Sequence, residues 1–292
     1  MSAEETAVSR DERGVSPGNK KSLPLAYSDP RGRGTPILLV HGFFHNRTVW
    51  EKLAAGLPED FRPISVDLRG HGESPWSLEG DYDLRSYARD LSALLDELDI
   101  KRAFVVGHSM GGNVATLFAR EMATRALGLV LVDTGPALES TGTDHVVDEV
   151  ESALRSYPTI TAWREQLSLI HPIGDREILD RLASTSVVAR IDGHYEPALD
   201  PGVLGRPDDP VDLVALERDL WSALRGLACP VLVIRGGVSA ILREKVVREM
   251  VDEVLQDGRL VTLEKAGHAV MIDDGPGLQR ALRDFLTMAG SG

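Results

Sequence analysis

A single cysteine, Cys229, among 292 residues excludes an intramolecular disulfide, so the fold owes nothing to an oxidising compartment. It precedes Pro230 and an apolar run, and it reads as a small buried side chain rather than a nucleophile. Basic charge is in deficit: 32 Lys and Arg against 45 Asp and Glu give a net charge of -13. That balance excludes the basic footprint that nucleic acid or an anionic membrane surface requires. Aromatics make up only 5% of the chain, and no uninterrupted apolar run approaches the length of a spanning helix. Residues 1–22 contain no apolar stretch of the signal-peptide kind; they are polar, charged and punctuated by Gly and Pro. They predict a disordered tail on a cytoplasmic protein.

What remains is an ordinary globular composition, 42% hydrophobic and 26% charged, long enough to bury a substantial core unaided. Short β-branched runs bounded by turn residues, Ile37–Val40, Ile64–Val66, Phe104–Val106 and Leu129–Val132, predict buried strands of a parallel sheet. Between them, Leu84–Leu98 carries apolar residues at helical spacing, and Asn113–Met122 predicts a second helix. The alternation stops from Ala137 to about Ala223, where helical patterns occur without a convincing buried strand. It resumes with Val231–Ile234, Leu260–Leu263 and a last helix, Gly277–Met288. The prediction is an α/β protein with a doubly wound, mostly parallel sheet, interrupted by a helical cap. The expected division is a tail over 1–22, a core over 23–136 and 224–292, and a cap over 137–223.

Three motifs follow strands. Gly107-His108-Ser109-Met110-Gly111 lies between the strand FVV and a helix, the strand–turn–helix setting in which G-x-S-x-G presents a serine nucleophile. His41-Gly42-Phe43 follows ILLV, and an acyl-transfer site needs two N–H donors for its oxyanion. Met110, after the serine, and Phe43, in this loop, are the candidates. His41 and His45 form no convincing metal pair, since no third ligand is near in sequence. Ala266-Gly267-His268 follows LVTL and offers a general base, with the serine first in the chain and the histidine last.

Together with the Asp67-Leu68-Arg69-Gly70-His71-Gly72-Glu73-Ser74 turn, HGFF, GHSMGG and AGH resemble the α/β-hydrolase superfamily, serine-nucleophile branch, from Leu23 onward. The resemblance implies a cap after the family's sixth strand (here LVLV), no cofactor, and a Ser-His-acid triad acting on a small-molecule substrate. It leaves Asp67 and Arg69 with structural roles. One departure stands out. The family usually places its acid after the seventh strand, and Arg235–Leu242 holds no carboxylate; Val238 and Ala240 occupy the expected positions. Some relatives take the acid from the end of the sixth strand, where this chain has Asp133, so Asp133 is the expected third member. A polar residue satisfying backbone donors is the other reading of that aspartate. In the cap, Trp163, Tyr195 and Trp221 are candidate substrate-lining residues, beside His171 and His194. Each is as readily explained as the core of small helices.

The leading expectation is a serine hydrolase that cleaves a carboxylic ester or lactone through an acyl-enzyme. A carbon–carbon bond hydrolase or cofactor-free dioxygenase with a His–Asp dyad is the alternative within the fold. A non-catalytic ligand-binding protein is a third reading. No metal is expected, and the oligomeric state is left open.

Overall fold

The apolar runs alternate their side chains between two layers, and that alternation builds the protein. The structure, a computed structural model, describes residues 21–137, 155–205 and 212–289. The predicted tail, apart from its last two residues, lies outside them. Nine strands are present among the described residues: β1 (Tyr27–Ser28), β2 (Thr35–Val40), β3 (Phe61–Val66), β4 (Ala103–His108), β5 (Ala126–Val132), β6 (Val187–Ala189), β7 (Tyr195–Pro197), β8 (Val231–Gly236) and β9 (Gly258–Leu263). Seven form one sheet in the order β1-β3-β2-β4-β5-β8-β9, parallel except for β1.

Leu38, Val40, Val105, Leu129 and Leu131 point into one apolar layer, with helices Leu84–Glu97, Met110–Glu121 and Leu213–Arg225. Ile37, Leu39, Phe104, Val106, Val130 and Val132 point into the other, with helices Glu51–Gly56 and Gly275–Ala289. Both faces are covered, so the central strands read as continuous apolar runs. Strand β9 is half-buried along its whole length because it ends the sheet.

The Asp67–Ser74 turn is a structural clasp. Asp67 takes the N–H groups of Arg47 and Glu73 and pairs with the Arg47 guanidinium. Arg69 is fully buried and donates to both carboxylate oxygens of Asp90, at 2.6 and 2.7 Å, with Asp81 alongside. Removing Asp90 takes away two charge-assisted hydrogen bonds and leaves the buried Arg69 charge to Asp81 alone. Asp90→Ala is therefore expected to cost about 3–5 kcal/mol, read as a lowered urea midpoint at unchanged slope. A loss under 1 kcal/mol would contradict the clasp.

Helix Leu84–Glu97 starts as predicted, capped by Asp83, whose side chain accepts from the Ser86 N–H. Helix Met110–Glu121 starts three residues before the predicted Asn113. Gly111 and Gly112 mislead the propensity reading because they sit inside the first turn for packing reasons given below. Between β5 and β8 lie helices Ile160–Ile170 and Arg176–Thr185, then an antiparallel ribbon of β6 and β7, and then helix Leu213–Arg225. The ribbon was not expected: three-residue, half-exposed strands carry no apolar run to mark them. The last helix crosses the expected 223/224 boundary and buries Leu220, Ala223 and Leu224 against the sheet-side layer.

Candidate active site

Strand β4 turns at Ser109 directly into helix Met110–Glu121. Ser109 has φ 51° and ψ -125°, a conformation L-residues avoid. Such strain costs about 1–3 kcal/mol and needs its surroundings to enforce it. Here the Ser109 N–H donates to Val132 O at 3.2 Å, tying the turn to the end of β5. The flanking glycines are required by space. A Cβ at Gly107 would stand 2.6 Å from the Gly112 Cα, and one at Gly111 would stand 2.7 Å from the Val40 carbonyl oxygen. The loop after β2 passes equally close, since a Cβ at Gly42 would lie 3.0 Å from Ser109 Cβ. Phe43 is the next residue in that loop. Met110 opens its helix, so its N–H is one of those with no intrahelical acceptor.

Asp133 ends β5 with φ 46° and no exposed surface. Its Oδ2 accepts from His268 Nδ1 at 2.8 Å, while its Oδ1 accepts the Gly236 N–H at 2.8 Å. The carboxylate thus contacts both a backbone donor and the imidazole. The Ser239 hydroxyl donates to Oδ2 as well, at 2.5 Å.

His268 sits on the loop after β9. That loop is fastened by Gly237 N–H to Leu263 O (2.8 Å), by Val238 N–H to Ala266 O (3.1 Å), and by Gly267 N–H to Asp273 Oδ2 (2.8 Å). Burial pushes the Asp273 carboxyl above its usual range, against the pull of the Gly267 N–H. His108 reaches across from β4, its Nε2–H donating to the His268 carbonyl at 3.0 Å, with the two rings 4.7 Å apart. Burial and the neighbouring His268 hold His108 well below the ordinary histidine range, so it stays neutral.

Neutral imidazoles line the remainder. His41 accepts the Leu68 N–H at Nε2 (3.0 Å) and donates from Nδ1 to Gly42 O (2.7 Å). Burial lowers His41 to about 4 and His71 to about 3, and lowers His45 still more clearly, with His171, His108, His41 and His268 adding to the effect on His45. His45 packs 5.7 Å from His108 and 5.5 Å from His171. A small cavity lies between Phe44, His45, Asn46, His71, Trp163 and Leu199.

Among the cap candidates, Trp163 is fully buried, its Nε1–H bonded to Ser186 Oγ at 2.8 Å and its ring 5.5 Å from Phe44. Tyr195 is half-buried on β7 and exchanges two backbone hydrogen bonds with Tyr157. His194 is exposed in the ribbon turn beside Asp192. Trp221 stands apart from this group: it packs on the layer formed with helix Met110–Glu121, and its Nε1–H donates to Glu217. Sequence reasoning weighed His45 only as half of a metal pair and gave no role to His108, Ser239 and Asp273. Only Ser239 carried a signal, as a polar residue inside a loop expected to hold an acid.

The profile of the alpha/beta hydrolase family matches residues 37–278 of this chain. The esterase Rv0045c of Mycobacterium tuberculosis is 28% identical over 269 residues, spanning 87% of this chain and 84% of that protein. An uncharacterized protein of the same organism, Rv2715, is 42% identical, but over 104 residues only. That match spans 36% of this chain and 30% of the relative's length. Among solved structures, an E-2-(acetamidomethylene)succinate hydrolase superposes with a TM-score of 0.81 at 25% identity, covering 90% of this chain and 95% of that one.

Proposed function

The chain belongs to the alpha/beta hydrolase family, and from that premise we propose that it is a serine hydrolase cleaving a carboxylic ester or lactone. In this reading Ser109 attacks the substrate carbonyl while His268 Nε2 takes its proton. Asp133 keeps the other ring nitrogen protonated and balances the imidazolium. The N–H groups of Phe43 and Met110 receive the oxyanion. The His268 imidazolium gives that proton to the departing alkoxide; the neutral imidazole then deprotonates the attacking water and returns the proton to Ser109 as the acid is released. The observation that carries the reading is the 2.8 Å contact between His268 Nδ1 and an Asp133 carboxylate with no exposed surface. Such a carboxylate orients the base and is kept from water.

The segment between β5 and β8 is taken as the cap over this site, with Trp163 and Tyr195 as its substrate-facing candidates. Trp221 is given no role. A small-molecule ester suits this arrangement, and the relative named an esterase supports the same class. A panel of p-nitrophenyl esters and lactones is expected to include substrates for the wild-type enzyme. Ser109→Ala is expected to lose at least about 1,000-fold in kcat. Turnover that survives Ser109→Ala would instead favour His–Asp dyad chemistry.

A further inference from the structure

We infer that Ser239 is a positioning residue for the triad acid. The inference rests on the serine-hydrolase reading above. Ser239 Oγ and His268 Nδ1 meet the same atom, Asp133 Oδ2, at 2.5 and 2.8 Å. The hydroxyl's role is set, because Ser239 Oγ also accepts the Ile241 N–H at 3.1 Å, leaving its proton for Asp133. The backbone at Ser239 is fixed too: its N–H donates to Gly236 O at 3.1 Å, closing a turn.

The loop is held against the one that carries His268. A Cβ at Gly236 would collide with the Gly267 carbonyl oxygen, and one at Gly237 would stand 2.6 Å from Glu264 O. The segment 236–239 therefore gathers the acid and the base. Gly236 N–H holds one oxygen of Asp133, and Ser239 holds the other. Position 239 lies between Val238 and Ala240, in the loop where the family resemblance places the acid. The other titratable groups around the pair are His108 and His45, Asp273, and Arg235, whose guanidinium is bound to the carbonyls of Gly237 and Leu242.

One consequence separates positioning from mere packing. Without the Ser239 hydroxyl, the Asp133 charge is shared with one donor fewer and stabilises the His268 imidazolium more strongly. The acid limb of the rate profile then moves to higher pH.

The experiment measures the inactivation rate by a fluorophosphonate across pH 5–9, with p-nitrophenyl ester turnover in parallel. It covers wild type, Ser239→Ala and Ser239→Thr, each checked for folding by circular dichroism. Ser239→Ala is expected to slow inactivation about 5- to 20-fold with KM little changed and the acid limb shifted upward. Ser239→Thr is expected to recover most of that loss. A folded Ser239→Ala with wild-type rate and pH limb would overturn the positioning role. Wild-type protein that is neither labelled nor active would overturn the serine-hydrolase reading itself, a distinct outcome.

Discussion

Asp133→Asn is expected to lower kcat by about 1,000- to 10,000-fold while leaving the protein folded. The native carboxylate accepts from His268 Nδ1, the Gly236 N–H and the Ser239 hydroxyl. An asparagine of equal size can keep its oxygen on Gly236. Its NH2 then faces His268, so Nδ1 must accept and Nε2 must carry the proton. That tautomer cannot take a proton from Ser109. The Ser239 hydroxyl can rotate to accept from the same NH2, so the buried site is not left unsatisfied. The signature is a large fall in kcat with a melting temperature within a few degrees of wild type. Near-wild-type turnover would remove Asp133 from the mechanism.

Stability is expected to fall steeply as pH drops below 6.5. His41, His45, His71 and His108 are fully buried, and burial depresses all four, His41 to about 4 and His71 to about 3. In the unfolded chain they titrate near 6.5. Above that pH both states leave them neutral, and stability does not depend on them. Below it the unfolded chain takes up protons that the native state refuses, so stability is lost from 6.5 downward toward the folded values. Each contributes up to about 1.4 kcal/mol per pH unit, so the four together reach about 5 kcal/mol per unit. Asp67 and Asp90, raised by burial, bind protons in the native state and offset part of this in more acidic solution. Urea midpoints at pH 7.5 and 5.5 test the slope, and His71→Gln is expected to flatten it by about one proton. Equal midpoints at the two pH values would show that these imidazoles are not held neutral.

Most of the architecture was legible because its signals are periodic. The runs ILLV, FVV, LVLV and VLVI alternate their side chains between two buried layers, and all four became central strands. The serine turn was legible because steric need fixes its glycines: Gly107 and Gly111 leave no room for a Cβ against neighbouring backbone. The same steric reason hid the true start of the following helix, since glycine inside a first turn reads as a breaker.

The carboxylate beside His268 was harder. Asp133 stood out only once Arg235–Leu242 proved empty of carboxylates, and its contact with His268 joins positions 135 residues apart. The histidine cluster was illegible. His45 and His108 meet through tertiary packing between the β2 loop and the end of β4, and a lone histidine in sequence carries no sign of such a neighbour. The β6–β7 ribbon was missed because its strands are too short and too exposed to leave a pattern.

The central claim is that Ser109 is an activated nucleophile. Intact-mass analysis after fluorophosphonate treatment tests it without knowledge of the natural substrate. A single adduct on the wild-type protein, absent from Ser109→Ala and slowed by orders of magnitude in Asp133→Asn, is the expected result. Folded wild-type protein that gains no mass, or a Ser109→Ala variant that gains the same adduct, would contradict it.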